Sequence, residues 1–97
     1  MIRSFANEGT QDIFNGINSK QARKALDPSL HNIARRKLDM INAAQSLNDL
    51  TAPPANRLEA LSGTLRKYHS IRINNQYRII FYWGKLGPEN IEIIDYH

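Results

Sequence analysis

The side chains best suited to chemistry lie in residues 57–97, where three strand-like runs carry arginine, histidine, tyrosine and carboxylate groups. The last run ends in Asp95, Tyr96 and His97, directly after apolar residues that would anchor it in a sheet. Because side chains alternate along a strand, Asp95 and His97 should share one face and Tyr96 the other. We expect Arg78, on the neighbouring strand, to lie close to this edge.

Together these residue types suit metal-free cleavage of RNA. The imidazole of His97 can transfer a proton near neutral pH, and the guanidinium of Arg78 can stabilise an anionic, phosphorane-like transition state. A carboxylate such as Asp95 can orient or activate a ribose 2′-hydroxyl, whose oxygen then attacks the adjacent phosphate. The residues therefore indicate a candidate nuclease site.

Each of these groups also has a structural interpretation, which the sequence leaves open. Arg72 and Arg78 could form cross-strand pairs with Glu92 and Asp95. Glu59, the single acid in a basic stretch, could be ion-paired or act as a base. Polar residues on neighbouring strands thus predict either a catalytic cluster or a set of stabilising ion pairs.

A basic block occupies residues 57–78. It contains one acid, Glu59, and is interleaved with tyrosine and histidine rings that can stack on unpaired bases. Its cations, which can hold a phosphate backbone, are Arg57, Arg66, Lys67, Arg72 and Arg78. With a net charge of +4 for the whole chain, this block favours a nucleic acid as partner. The alternative is a solvated basic face of a sheet.

Length and composition restrict the fold and the classes of function. The 97 residues, 41% of them apolar, predict one domain (residues 1–97) with a modest core. The absence of cysteine excludes disulfides and a thiolate nucleophile and fits a reducing cytoplasm. The sequence shows neither a secretory signal nor an apolar run of membrane-spanning length, so we expect a cytoplasmic protein without membrane contact. Its three histidines lack the spacing of metal ligands, so no metal site is expected.

The elements that must position these residues follow from hydrophobic spacing. Ile2–Phe5 predicts a short strand, and residues 8–15 and 20–26 predict short helical segments. Apolar residues at three- and four-residue steps predict a longer helix over residues 27–46. We expect His31 to be exposed on the polar face of this helix.

Beyond a proline-containing loop at residues 48–56, the pattern is typical of β-structure. Apolar residues alternate over residues 71–73 and 77–83. Asn74-Asn75-Gln76 predicts a tight turn, because asparagine tolerates positive φ, and residues 84–90 predict a second hairpin loop. These strands can pair antiparallel, which leaves the helices to cover one face of the sheet.

Three stretches are similar to a known family: Asn56-Arg-Leu-Glu-Ala-Leu-Ser-Gly, residues 69–81, and Ile91-Glu-Ile-Ile-Asp-Tyr-His. In this order they resemble the HigB toxins of bacterial toxin–antitoxin modules, within the wider RelE/ParE superfamily. More closely, they resemble the HigB subgroup that includes the GraT toxin. The similarity covers nearly the whole chain, starting from Met1-Ile-Arg-Ser-Phe.

The resemblance implies an α+β fold like that of microbial ribonucleases: a small twisted, mainly antiparallel sheet with helices packed on one side. It implies a ribosome-dependent endoribonuclease that enters the decoding site of the small ribosomal subunit and cuts mRNA there without a metal or other cofactor. It also implies a HigA-type antitoxin as partner. This antitoxin would be a helix-turn-helix protein, and the toxin–antitoxin pair would bind operator DNA only through it.

Position by position, the resemblance assigns roles to individual residues. Asp95, Tyr96 and His97 match the terminal motif of the family, and Arg78 matches its catalytic arginine. Gln76 lies where relatives vary between asparagine and glutamine. Together with Glu59, which the basic stretch itself suggests as a base, the expected catalytic residues are Arg78, Asp95, Tyr96 and His97.

Residues 59–67 depart from the commonest pattern of the family. Glu59 stands where some members have a histidine, and Ser62 where many have a lysine. After Gly63 the arginine comes one position late and a turn glycine is missing, so we expect Arg66 and Lys67 to contact the RNA backbone. The RNA-binding residues expected are Ser62, Arg66, Lys67, Arg72 and Gln76.

Two other functions remain open. ParE-like toxins share the scaffold but bind and poison DNA gyrase without cutting RNA. A decayed toxin that acts only as an antitoxin-bound co-repressor is the other alternative, because the turn after Gly63 is altered.

Overall fold

The computed structural model describes residues 1–96, in which helices precede a four-stranded antiparallel sheet. The helices are α1 (Glu8–Phe14), α2 (Lys20–Ala25) and α3 (His31–Ala43). The strands are β1 (Glu59–Ala60), β2 (Tyr68–Arg72), β3 (Tyr77–Gly84) and β4 (Gly87–Asp95), hydrogen-bonded in the order β1-β2-β3-β4. The predicted α+β class with a mainly antiparallel sheet is confirmed.

Polar side chains at the helix starts explain where the helices begin. Asn7 accepts a hydrogen bond from the amide of Thr10 at 2.8 Å, and Ser19 accepts one from an amide in the first turn of α2 at 3.0 Å. Each thereby satisfies a donor that the helix itself leaves free. Asp27 caps the 3₁₀ turn Pro28–Leu30, which leads into α3. Within residues 1–96, none of the helices is long and apolar enough to cross a membrane.

Two predicted boundaries are displaced. Residues 2–5 form a single parallel bridge, from Phe5 to Ile91, in place of a strand, because the chain turns at Asn7 to begin α1. The long helix ends at Ala43 and not near residue 46, because the backbone of Ala44 is extended. Both differences lie far from the sheet residues with candidate roles.

The predicted hairpin after residue 83 is confirmed, but its loop is shorter than the predicted residues 84–90. Gly84 pairs with Gly87, so only Lys85 and Leu86 lie in the turn and β4 begins at once. Gly87 has a φ of 129°, a conformation that residues with a side chain rarely adopt. Glycine therefore allows the chain to reverse here in two residues, as in other tight hairpins.

The predicted turn between β2 and β3 is confirmed, although its cause differs from the expected one. The side-chain oxygen of Asn74 accepts hydrogen bonds from the amides of Gln76 at 2.9 Å and Tyr77 at 2.8 Å. The asparagine side chain thus replaces a backbone partner, which is a common way to close a turn.

His31 is half-buried, so the prediction that it is exposed is wrong. Its Nε2 lies 2.7 Å from the carbonyl oxygen of Leu26 and 3.2 Å from that of Ala22. The imidazole therefore joins the start of α3 to the end of α2, and its role is structural.

The register of the strands gives the sheet a helix-covered face and an opposite face, which we call the outer face. Ile71, Ile79 and Ile93 lie beside one another on adjacent strands and, with Phe81, belong to the core that the helices cover. Arg78 alternates with these residues along β3, so its side chain projects from the outer face.

Candidate active site

Arg78 is a buried cation on the outer face, with 6% of its surface exposed. Its Nε donates a hydrogen bond to Oγ of Ser70 at 2.7 Å, and its Nη2 donates to the carbonyl oxygen of Arg57 at 2.5 Å. Oε1 of Glu59 lies 3.2 Å from the same Nη2. These partners compensate for the hydration that a buried charge loses.

The local fold explains why these partners converge. β1 pairs with β2 so that Glu59 lies opposite Ser70, and β2 in turn pairs with β3. Arg57, just before β1, has the left-handed angles φ 47° and ψ 56°, which are uncommon for a residue other than glycine. With this backbone conformation, its carbonyl oxygen points at Arg78.

The structure decides one of the alternatives that the sequence left open. Arg78 forms an ion pair with Glu59, so Glu59 is ion-paired, which is one of the two interpretations that the sequence left open for it. The side chain of Glu59 is 49% exposed despite this pair. Its carboxylate is therefore both ion-paired and accessible to a ligand.

Tyr96 contacts the guanidinium of Arg78. The Cζ atom of Arg78 lies 5.4 Å from the centre of the Tyr96 ring, within the range of a cation–π interaction. The amide of Tyr96 donates to the carbonyl oxygen of Gln76 at 2.7 Å, which holds this residue beside the β2–β3 turn. The ring is 42% exposed, so it can also contact a ligand.

Asp95 lies on the other face of the sheet from Arg78. It pairs in register with Tyr77, whereas Arg78 pairs with Ile94. Oδ2 of Asp95 accepts a hydrogen bond from Nε2 of Gln76 at 3.1 Å. The structure therefore brings together Arg78, Glu59 and Tyr96 but places Asp95 beyond the edge of this cluster. His97 lies outside the described residues, so its expected place beside Asp95 stays a prediction.

The residues expected to bind RNA lie at the two ends of β2. Arg72 and Gln76 lie at the end near Arg78 and Tyr96. The other three, which lie in the exposed segment between β1 and β2, are Ser62, Arg66 and Lys67. Because β2 has five residues, the two groups are roughly 13 Å apart along the strand.

Lys37 and Asn56 lie next to this site and were not identified from the sequence. Nζ of Lys37 donates to the side-chain oxygen of Asn56 at 2.5 Å. Burial, and then the positive charges of Arg36 and Arg72, lower the pKa of Lys37. A signal existed, because residue 37 falls on the apolar face of α3 at the three- and four-residue spacing where a lysine is unusual.

His69 belongs to the helix-covered face and not to the Arg78 cluster. Its ring stacks on that of Phe81 with 6.5 Å between the ring centres. Its Nδ1 is buried without a hydrogen-bond partner among residues 1–96. The imidazole of His69 therefore packs toward the helices and is not part of the candidate site.

The cluster offers three chemical capacities. Arg78 can stabilise negative charge, the Glu59 carboxylate can accept a proton, and the Tyr96 ring can stack on a base. Within residues 1–96, the histidine, aspartate and glutamate side chains form no group of three or more that could hold a metal ion.

These features define a small α+β protein that presents a buried, multiply bonded arginine on the outer face of an antiparallel sheet. The family model described as "RelE-like toxin of type II toxin-antitoxin system HigB" matches residues 3–97. The chain belongs to this HigB-like toxin family, as its resemblance to HigB toxins predicts.

Two curated relatives match the chain over part of its length. Toxin HigB-1 of Vibrio cholerae is 47% identical over 60 residues, which are 62% of this chain and 63% of that protein. An uncharacterized protein of Haemophilus influenzae is 51% identical over 63 residues, which are 65% of this chain and 62% of that protein. Each match thus spans less than two thirds of the relative's own length.

A solved structure is similar to the whole fold. The YoeB–YefM complex from Staphylococcus aureus contains a chain that superposes with a TM-score of 0.61 at 15% identity. The superposition covers 100% of this chain and 98% of that one. At this level of identity the similarity supports the fold alone.

Proposed function

We propose that the chain is a ribosome-dependent endoribonuclease that inhibits translation by cutting mRNA. The observation that carries this proposal is the Arg78 guanidinium, which is buried in the outer face and contacts both Glu59 and Tyr96. A fixed cation, an accessible carboxylate and an exposed aromatic ring can supply charge stabilisation, proton transfer and base stacking to the cleavage of an RNA phosphodiester.

In this mechanism the ribose 2′-oxygen attacks the adjacent phosphorus, and the bond from phosphorus to the 5′-oxygen breaks. The Glu59 carboxylate accepts the proton of the 2′-hydroxyl, and Arg78 stabilises the charge that develops on the phosphate. Tyr96 stacks on the nucleotide at the scissile bond. His97 donates the proton to the leaving 5′-oxygen. Because β4 ends at Asp95, strand alternation does not require His97 to share the face of Asp95. Asp95 holds the Gln76 side chain and orients the end of β4.

The remaining basic residues extend the binding surface along β2. Arg72 and Gln76 hold the RNA near the scissile phosphate, and Ser62, Arg66 and Lys67 hold the RNA or ribosomal RNA at the far end of the strand. The positive charge steers the protein toward the small ribosomal subunit. The proposed inhibitor is a HigA-type antitoxin, whose helix-turn-helix supplies the contact with operator DNA.

Addition of the purified protein to a translation extract, with primer extension on a defined mRNA, tests this function. We expect new 5′ ends with wild type, and none with Arg78→Ala or His97→Ala at equal folded concentration. Glu59→Gln should retain the fold and lose most of the cleavage. A matched reaction without ribosomes shows whether free RNA is cut.

Intact mRNA with wild-type protein in the translating extract would overturn the proposal. Growth inhibition that survives Arg78→Ala and His97→Ala would indicate a target other than RNA, such as DNA gyrase. A protein that binds its antitoxin and represses transcription without inhibiting growth would indicate the co-repressor role.

A further inference from the structure

Asn56 is a buried polar residue that no step of the proposed mechanism uses. It is 0% exposed, and its Nδ2 donates hydrogen bonds to the carbonyl oxygens of Leu50 at 3.3 Å and Ala52 at 3.2 Å. Its Oδ1 accepts the bond from Lys37. A buried amide with these partners fixes the backbone around it, because any broken bond would leave a polar group unsatisfied.

The segment that Asn56 fixes leads directly to the Arg78 cluster. Arg57 follows at once, in the left-handed conformation that its surroundings must maintain. Its carbonyl oxygen is the acceptor for Nη2 of Arg78, and Glu59 comes two residues later. Two of the acceptors around Arg78 are therefore supplied by a short segment whose position depends on Asn56.

Arg78 is thus held from two sides. Ser70 on the neighbouring strand accepts from Nε through its hydroxyl and, at 3.4 Å, from Nη2 through its carbonyl oxygen. Arg57 and Glu59, on the segment after Asn56, lie closer to Nη2, at 2.5 and 3.2 Å. Without Arg57 and Glu59, the guanidinium would keep the 2.7 Å bond at Nε but only the 3.4 Å contact at Nη2, so its orientation would be less restricted. An arginine that binds a phosphate oxygen depends on the orientation of its guanidinium plane as much as on its charge.

We infer that Asn56 is a positioning residue for Arg78, acting through the carbonyl of Arg57 to orient the guanidinium toward the scissile phosphate. This inference rests on the proposed nuclease function for its consequence in catalysis. The orientation of Arg78 itself can be measured whether or not the protein cuts RNA.

Asn56→Ala tests the inference, with Thr10→Ala as the matched control. Thr10 is also 0% exposed, and its hydroxyl accepts a hydrogen bond from the amide of Ile93 at 3.2 Å on the helix-covered face. On programmed ribosomes we expect Asn56→Ala to lower kcat about 10- to 100-fold with KM unchanged, the scale of a small misplacement of a catalytic group. Thr10→Ala should lose similar stability and retain kcat.

A second measurement does not depend on cleavage. The exchange rate of the Arg78 Nη2–H protons, followed by ¹⁵N NMR and assigned with Arg78→Lys, reports how firmly the guanidinium is held on the side of Arg57 and Glu59. We expect exchange at least several-fold faster in Asn56→Ala and close to wild type in Thr10→Ala. If the wild-type protein cuts no mRNA, the proposed function fails, and this exchange rate alone decides the inference.

Lys37→Met is a milder variant. It removes the bond from Lys37 to Oδ1 of Asn56 and leaves the two bonds that Nδ2 of Asn56 donates. We expect a smaller change in the same direction, roughly threefold in kcat and in exchange. This variant carries the test if Asn56→Ala does not fold. Wild-type kcat and wild-type Arg78 exchange in the folded variants would overturn the inference.

Discussion

The two faces of β3 bury neighbouring side chains to nearly the same extent for different reasons. On the helix-covered face, Ile79 and Phe81 are both 0% exposed and belong to the apolar core. On the outer face, Arg78 is 6% exposed and is surrounded by hydrogen-bond acceptors and a carboxylate. One strand therefore carries both the centre of the core and the centre of the candidate site.

The comparison shows how the fold separates stability from chemistry. Burial of apolar surface stabilises the fold by an amount that depends mainly on area and close packing. Burial of an arginine contributes little net stability, because loss of hydration offsets the contacts it gains. Variants on the helix-covered face should therefore change mainly the stability of the fold, and variants on the outer face should change mainly its activity.

Phe81→Ala should have the largest effect on stability. Removing a fully buried aromatic ring leaves a cavity in the core, which typically costs about 3–5 kcal/mol. Urea unfolding followed by circular dichroism measures the loss. The fraction that remains folded should cut mRNA at the wild-type rate, and a stability change below about 1 kcal/mol would show that Phe81 is not central to the core.

Among variants that retain the positive charge of the site, Arg78→Lys should have the largest effect on activity. Lysine lacks the planar fork that contacts Ser70 and Arg57 at once, so we expect kcat to fall about 10²- to 10³-fold. Single-turnover cleavage on programmed ribosomes measures the change, and thermal unfolding checks the fold. Cleavage within a factor of three of wild type would indicate that charge alone is sufficient.

Tyr96→Ala should have an intermediate effect, and Tyr96→Phe should have almost none. Stacking of an aromatic ring on a base contributes about 1–3 kcal/mol, so the alanine variant should lose roughly 5- to 150-fold in kcat/KM. Because phenylalanine retains the ring, it serves as the control for stacking. An equal loss in both variants would assign the role to the phenolic hydroxyl instead.

Asp27→Ala should have the smallest effect. It should change only the stability of the fold, because Asp27 lies among the helices. Hydrogen bonds from the hydroxyl and then the amide of Ser29 lower the pKa of Asp27. A carboxyl whose pKa is lower in the folded state stabilises the fold above its unfolded pKa, and this contribution is lost as pH falls through the folded pKa. The stability difference from wild type should therefore be constant near neutral pH and shrink below about pH 4. A constant difference down to pH 2 would contradict this assignment.

Much of the architecture could be predicted from the sequence, because alternation and helical spacing are local properties. The apolar steps of α3 and the alternation around Ile79 and Phe81 were sufficient to predict a sheet covered by helices on one side. The errors came from residues with two structural roles. The segment Gly87-Pro88 is typical of a loop, yet here Gly87 closes a two-residue turn and Pro88 lies inside β4.

The site was less predictable, because its contacts are not local. Strand alternation places the side chains of Asp95 and Tyr96 on opposite faces of the sheet. Only the register between β3 and β4 shows that Tyr96 is the residue on the face of Arg78. The nearest acceptor for Nη2 is the backbone carbonyl of Arg57, which carries no residue-type signal. The position of Arg57 depends on a left-handed backbone that sequence patterns do not reveal.

The edges of the sheet have a consequence for the behaviour of the protein at high concentration. β1 is two residues long, and the free edge of β4 is occupied by the segment before α1, where the amides of Arg3 and Ala6 donate to carbonyl oxygens of β4 at 2.8 and 2.9 Å. Within residues 1–96, neither edge offers a long row of unpaired backbone groups to a second copy. The chain is thereby protected against growth of the sheet from molecule to molecule, the usual first step toward fibrils.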